Sequence, residues 1–428
     1  MARRAPGMTR PPGRGSVAPS LVDRLERFVR SRVRHPRLTV VVGRWLAVAF
    51  LTCFATGIFS HVLQDPAATV TLSQAGLLPS RPVSLYRLTQ GVHVTAGIAA
   101  IPLLLGKLWS VYPRLIAWPP IRSVRHALER ASIALFVAAS LVQLTIGLVN
   151  TYQWYPWPFP FRQTHYWLAW VIVGSLALHI AINLPLIAAH WRRPRTDRIA
   201  APHPGPTTPA GSTAVSAGPG PGAVPADRRL RTSRRGFLAA VGLGSAALVT
   251  TTAGQSFPFL AGTNIFAPRA MGTGPAGLPV NRTSAQAAVA DLARDPAWSL
   301  RVTHAGRTRA FTLDALRALP QREHDLPIAC VEGWSQTAHW RGVAMRDLLA
   351  LVGAPAASTV RVTSLEPEGN YREMIMPSAY AADEQTLVAL ELNGGTLDLE
   401  HGYPARIIAP GRPGVLQTKW LATVEVLA

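Results

Sequence analysis

The chain has 428 residues and carries 43 Lys and Arg against 22 Asp and Glu, a formal net charge of +21. Its length suits two or more domains, and its two cysteines, Cys53 and Cys330, lie in different regions and imply no disulfide framework. The positive residues cluster beside apolar segments, at Arg24 to Arg44, Lys107 to Arg130, Arg192 to Arg198 and Arg228 to Arg235, which excludes the continuous basic face of a nucleic-acid-binding protein.

In chain order, a basic N-terminus (1–43) precedes four long apolar runs: Trp45 to Val62, Gly91 to Val111, Ala131 to Leu148 and Tyr166 to Ala189. Each approaches or exceeds the ~20 residues a helix needs to cross a bilayer. The basic N-terminus and the loop with Arg114, Arg122, Arg125 and Arg130 belong on the cytoplasmic side, and the aromatic belt from Trp154 to Trp167 on the outer side. The expectation is a multi-pass plasma-membrane protein with a four-helix bundle over 44–191 and membrane lipid around it.

Histidines are the informative polar residues of this half. His61 ends the first run, His93 begins the second, and His165 and His179 share the fourth. The last two are 14 positions apart, ~21 Å along a helix and about 40° around it, so they point to nearly one side at two depths. Imidazoles on facing helices of a bundle suit an axially ligated haem. A histidine that bonds a backbone carbonyl, or snorkels to the interface, fits the same positions. His126 and His190 lie beside basic clusters and are read as solvated.

These four runs and their histidines resemble the cytochrome-b membrane subunits that pass electrons between respiratory oxidoreductases and quinone. The resemblance implies haem b, one or two, and a quinone or quinol partner. His93 with His165 or His179 would ligate one haem, and His61 with the remaining histidine a second; the pairing stays open.

Ala201 to Ala226 is rich in Pro, Gly, Ser, Thr and Ala, and 192–231 reads as a flexible cytoplasmic linker. Thr232-Ser-Arg-Arg-Gly-Phe-Leu238, before the mildly apolar Ala239 to Thr252, resembles a twin-arginine export signal. The same residues also suit the basic flank of a fifth membrane helix. Either way 232–255 crosses outward and places 256–428 outside the cytoplasm, and retention as a fifth helix is the expectation.

From 256 onward the pattern alternates strand-like and helix-like pieces. Ser299 to Thr303 and Arg309 to Thr312 flank a hairpin turn at Ala305-Gly306-Arg307. Leu313 to Leu319 and Met345 to Val352 have helical spacing. Thr359 to Ser364, Thr386 to Leu392 and Arg406 to Ala409 read as strands, the last two joined through Asn393-Gly394. The fold class is therefore multi-domain: an all-α transmembrane part followed by an α+β domain.

Cys330-Val-Glu-Gly-Trp-Ser335, Trp340-Arg-Gly-Val343, and His401-Gly-Tyr-Pro-Ala-Arg406 through Lys419-Trp420 occur in that order. Together they resemble the molybdopterin-binding domain of the sulfite oxidase family, in the branch of the methionine sulfoxide reductase catalytic subunits. The resemblance implies that Cys330 is the catalytic thiolate ligand of molybdenum. It implies that Asn281, His401, Arg406 and Lys419 bind molybdopterin. A soft thiolate suits a thiophilic metal, and cations suit a phosphate. Sulfite oxidases follow the cysteine with arginines that help form an anion pocket. Here the run is Val-Glu-Gly-Trp-Ser, which turns the expected substrate from sulfite toward another small oxo-transfer substrate. The expected function is a membrane-bound molybdopterin-dependent oxidoreductase coupled to haem b and quinone. The alternatives are a haem relay whose exported domain only binds or senses, and a membrane protein without redox centres.

Overall fold

The computed structural model describes residues 36–77, 80–115, 121–191 and 234–427. Most of the basic N-terminus, the linker, and Thr232 and Ser233 of the twin-arginine motif lie outside the described residues.

Five helices are long and apolar enough to cross a membrane. They are α1 (Pro36–Gln64), α3 (Leu85–Leu115), α4 (Val124–Thr151), α5 (Phe161–Trp191) and α6 (Arg234–Thr252). The first four run past the apolar stretches that nucleate them into more polar ends, since a backbone in hydrocarbon must satisfy its hydrogen bonds within the helix. Ser123 caps α4 by accepting from His126 N at 3.2 Å. A short helix the apolar pattern did not reveal, α2 (Pro66–Gln74), starts at Asp65, whose carboxylate accepts from Ala67 N and Ala68 N.

Helix α1 packs along α3, α4 along α5, and α1 across α5. Leu46, Phe50, Leu104, Phe136, Ile172 and Leu176 fill the space between them. Helix α6 lies along α3 at Gly106, where a Cβ would stand 2.8 Å from Val241 Cγ2, and Ser245 Oγ donates to Ala99 O at 3.2 Å. Beyond α6 the chain turns through Ala253–Gln255, buried with Ser256, into the sheet-containing region.

That region holds two five-stranded sheets. The first runs β2 (Arg307–Thr312), β1 (Ser299–His304), β10 (Leu421–Val426), β5 (Val360–Ser364), β6 (Glu373–Met376), with β1 and β10 parallel. The second runs β3 (Arg322–Ala329), β4 (Ser335–Ala344), β7 (Leu387–Leu392), β8 (Gly395–Thr396), and β9 (Arg406–Ile408) also pairs with β7. Leu300, Val302, Val343, Leu348, Val362 and Ile407 belong to the main core.

The hairpin turn at Ala305-Gly306 takes φ of +47° and +75°, the doubly left-handed turn that matches strand twist. Asn393-Gly394 is also a left-handed turn, but it leads from β7 into β8 rather than into the strand at 406. Strand β9 returns later and pairs with β7 through Leu387, Val388 and Ala389. Strand β3, with Glu323, His324, Asp325 and Pro327 in succession, does not read as a strand. It lies at the edge of its sheet, where a proline and outward charges are tolerated.

Candidate functional site

Cys330 follows β3 directly and begins the tight loop that leads into β4. Its N–H donates to Trp334 O at 2.9 Å, and Gly333 N donates to Cys330 O at 3.1 Å. Gly333 has φ +97°, a conformation only glycine adopts without strain. The thiol is 2% exposed. Asn281 Nδ2 approaches its sulfur at 3.8 Å. Burial pushes the Cys330 thiol well above its ordinary range, and the Glu332 carboxyl adds to this. A thiol held protonated in this way is not a free nucleophile at neutral pH; it becomes a thiolate when a cation binds it.

A second group of basic side chains, His401, Arg406 and Lys419, lies together in the same domain. His401 ends a one-turn helix capped by Asp398, and Gly402, at φ +109°, turns the chain toward Arg406 at the start of β9. Arg406 is 2% exposed and donates only to carbonyls: Nη1 to His401 O at 3.0 Å, with Gln417 O and Ile407 O at 3.4 Å. Its guanidinium sits 5.1 Å over the Trp340 ring, a wholly buried side chain of β4. Lys419 Nζ donates to Arg282 O at 2.6 Å and Glu400 O at 2.9 Å.

Burial pushes Arg406 down to about 9 and Lys419 down to about 7, the Arg406 charge adding to the second. Burial likewise pushes His401 down to about 4, with Arg406 again adding, while its Nε2 lies 2.9 Å from Pro275 O. The nearby carboxylates are engaged elsewhere: Glu400 with Ser284, Glu366 with Arg282. Among the described residues neither Arg406 nor Lys419 has a carboxylate within ion-pair distance, so this is a place for an anion. Asn281-Arg282 links the two parts, since Asn281 reaches the sulfur and Arg282 O receives Lys419.

Gln153, Arg269 and Tyr371 are neighbours of the site that had no signal in the sequence. Gln153, just past the end of α4 at φ +54°, donates to Asn281 O at 2.7 Å and to a Glu332 carboxylate oxygen, and accepts from Arg269 Nη2 at 2.7 Å. Burial pushes the Glu332 carboxyl up, opposed by Arg269 at 3.9 Å and by Gln153. Tyr371 accepts from Arg162 Nη1 at 2.7 Å. Burial shifts the Tyr371 and Tyr155 phenols up. Arg412 is buried in the Pro410–Gly414 loop with Nε and Nη1 unpartnered among the described residues, and that loop runs against Ala329, the residue before Cys330. Wall residues of the site thus come from loops of the helical region as well as from the sheets.

Within the helices a cavity of about 220 Å³ is lined by residues of α1, α3, α4 and α5 together with Val331. It contains His61, His93 and His165. The His93 and His165 rings lie edge to face, with centroids 6.0 Å apart and planes inclined at 72°. His93 Nδ1 lies 2.9 Å from Cys53 O, which leaves Nε2 for another partner. Gly57 and Gly147 make room for the two rings: a Cβ would come within 2.9 Å of His93 Cε1 and 3.2 Å of His165 Cε1. His61 stacks on Tyr166 at 4.0 Å, and His179 stacks on Phe136 at 6.1 Å. These last two are not brought together: Tyr166, on which His61 stacks, is about 20 Å from His179 along α5.

Residues 286–428 match the family model "Oxidoreductase molybdopterin binding domain". Rat (Rattus norvegicus) mitochondrial sulfite oxidase is 29% identical over 147 residues, covering 28% of this chain and 27% of that protein. A putative protein-methionine-sulfoxide reductase subunit YedZ1 of Azospira oryzae is 33% identical over 117 residues, covering 27% of this chain and 44% of that protein. The chain therefore spans between about a quarter and under half of these relatives' lengths. The sulfane dehydrogenase SoxCD of Paracoccus pantotrophus is similar at TM-score 0.28 and 21% identity, covering 31% of this chain and 38% of that one. The C-terminal part of this chain is a molybdopterin-binding oxidoreductase domain of the sulfite oxidase type, and it follows a helical region with five apolar helices.

Proposed function

We propose that the protein is a membrane-bound oxidoreductase that removes oxygen from a small neutral oxo donor, a sulfoxide or an N-oxide, at molybdenum held by Cys330. Electrons reach that site from a quinol through haem b between His93 and His165. The observation that supports the electron-transfer half is the close pair of imidazoles in a cavity that reaches Val331, the residue after Cys330. A haem iron bound there would take His93 and His165 as its two protein ligands.

At the other site, the described residues include no cluster of three His, Cys, Asp or Glu side chains, so a metal at Cys330 takes its remaining ligands from a cofactor. Molybdopterin fits: its dithiolene would complete the soft ligand set, and its phosphate would meet Arg406, Lys419 and His401. When bound, the metal supplies the two-electron oxo-transfer chemistry. The chain orients Cys330 through Asn281 and excludes water by burying the loop. Glu332 places a carboxyl, not an arginine, beside the sulfur, which favours a neutral substrate over sulfite.

The test is optical. Dithionite-reduced protein is expected to show a haem b spectrum that sulfoxides or N-oxides reoxidise and sulfite leaves reduced. A purified protein with neither haem absorption nor molybdenum ends the proposal.

Two expectations accompany it. The phosphate favours the charged form of Lys419, whose ammonium burial holds down to about 7. Cofactor binding then takes up a proton above that pH, and retention weakens as pH rises beyond about 7, by at most about tenfold per unit for one proton. Pterin fluorescence after dialysis at pH 6 and pH 8.5 measures this. Lys419→Arg should flatten the dependence, and equal retention in the native protein at both pH values contradicts it.

The second concerns α6. Cleavage near Thr252 would cut a buried turn that anchors Ser256 on Gly333 O. The helix is therefore expected to remain as a fifth span, with the domain after it outside the cytoplasm. Protein carrying tags at both ends should migrate as one chain bearing both; separation of the tags would show removal.

A further inference from the structure

The loop that carries Cys330 is seated on the helix that carries His93. Gln90 Nε2 donates to Val331 O at 2.7 Å. A Cβ on Gly333 would lie 2.6 Å from Val94 Cγ2, so only glycine lets the loop come this close to α3. Ser256 Oγ holds the same loop from the end of α6 by donating to Gly333 O. Gln90 and Val94 bracket His93 in the sequence of α3. Val331 is bonded to Cys330 on one side and lines the histidine cavity on the other. One residue separates the sulfur from that cavity.

We propose that Val331 and Gln90 form the electron-transfer contact between the histidine cavity and the metal site, with Gln90 as the positioning residue that fixes Val331 against the cavity. This rests on the haem and molybdenum reading above. For each oxo group removed, two electrons cross the contact one at a time. A quinol supplies them with two protons and becomes quinone, and the oxygen leaves as water. Gln90 suits the part because it is buried and uncharged. Its amide nitrogen is spent on Val331 and its Oε1 has no partner among the described residues, so its bond to the loop is not shared with solvent. The rest of the seat is steric, and Gln90 supplies the one polar bond from α3 to the loop among the described residues.

The test uses the full-length protein in detergent and stopped-flow reoxidation of the pre-reduced haem by a sulfoxide. Gln90→Leu keeps the volume and removes the donor. It is expected to slow reoxidation by roughly three- to tenfold, the effect of one lost hydrogen bond. Quinol-driven turnover should fall relative to turnover driven by reduced viologen, which delivers electrons to the metal domain directly. Haem and molybdenum content and the haem midpoint potential are measured on the same samples. Unchanged reoxidation with both groups bound overturns the contact. If the native protein binds only one group or neither, the functional reading itself fails, and the content measurement separates that result from the first. Should Gln90→Leu not fold, Val331→Ala tests the same contact. It opens a gap beside the cavity while keeping the backbone carbonyl that Gln90 bonds, and a native reoxidation rate in it would overturn the proposal.

Discussion

Cys330→Ser is expected to abolish substrate turnover and to leave the haem spectrum intact. Serine matches the shape of cysteine in a loop whose backbone bonds, Cys330 N to Trp334 O and Gly333 N to Cys330 O, do not involve the side chain. The fold should therefore survive. The chemistry changes completely, because a hydroxyl is a hard, weakly acidic donor where a thiophilic metal needs a soft thiolate. Losing an outer partner of a metal site costs roughly 10- to 100-fold, so losing the one protein ligand should exceed about 100-fold in turnover. Asn281 would keep its contact with Gln153 but lose the sulfur that its Nδ2 approaches. The measurement is sulfoxide-dependent reoxidation of reduced haem, with molybdenum determined on the same sample. Turnover within a few fold of native would remove Cys330 from the site. A full set of both groups with no turnover in the native protein would instead favour a domain that binds without catalysing.

The long apolar helices were legible because a run of about 20 apolar residues, the length that crosses hydrocarbon, stands out from the shorter and more mixed pattern of the rest of the chain. The residues proposed to bind molybdopterin stand close together for a local reason: His401, Gly402 and Arg406 lie in one short turn and strand start, so their relation to one another is written over six positions. Which histidines face each other was not legible. His165 and Tyr166 differ by about 100° around α5, so the rotation of one helix decides which of them meets His93 and which stacks on His61. The 40° offset between His165 and His179 was a sound statement about direction, but depth separates them, and His179 ends beside Phe136. The contacts of Gln90 and Gln153 with the Cys330 loop span 241 and 179 positions, and a polar residue at a helix end has many other uses. Strand β3 hid behind its charges and Pro327, since an edge strand need not alternate cleanly. The misplaced strand after Asn393-Gly394 has the same origin: the turn was visible, while the two-residue β8 was too short to carry a pattern.

His93→Ala and His165→Ala are each expected to remove haem from the helical region, whereas His61→Ala and His179→Ala should retain it. The physical difference lies in the partners. His93 and His165 line one cavity with ring centroids 6.0 Å apart, and Cys53 O engages His93 Nδ1, which leaves Nε2 for the proposed haem. His61 is engaged by a tyrosine ring and His179 by a phenylalanine ring, and neither has a second imidazole opposite it among the described residues. Loss of an axial ligand should lower the haem-to-protein ratio by at least about tenfold, the lower bound for disturbing even an outer partner of a bound metal. Gly57→Ala gives a graded version of the same test. Its Cβ would meet His93 Cε1 at 2.9 Å, so the ring must tilt from its present position and haem content or the reduced spectrum should shift without complete loss. Haem is quantified as its pyridine complex in purified protein, with molybdenum as the control, because the metal site at Cys330 keeps all its own residues in these variants. Full haem in His93→Ala, or loss of haem in His179→Ala with His165→Ala unaffected, would place the ligands elsewhere and break the link between the cavity and the Cys330 loop.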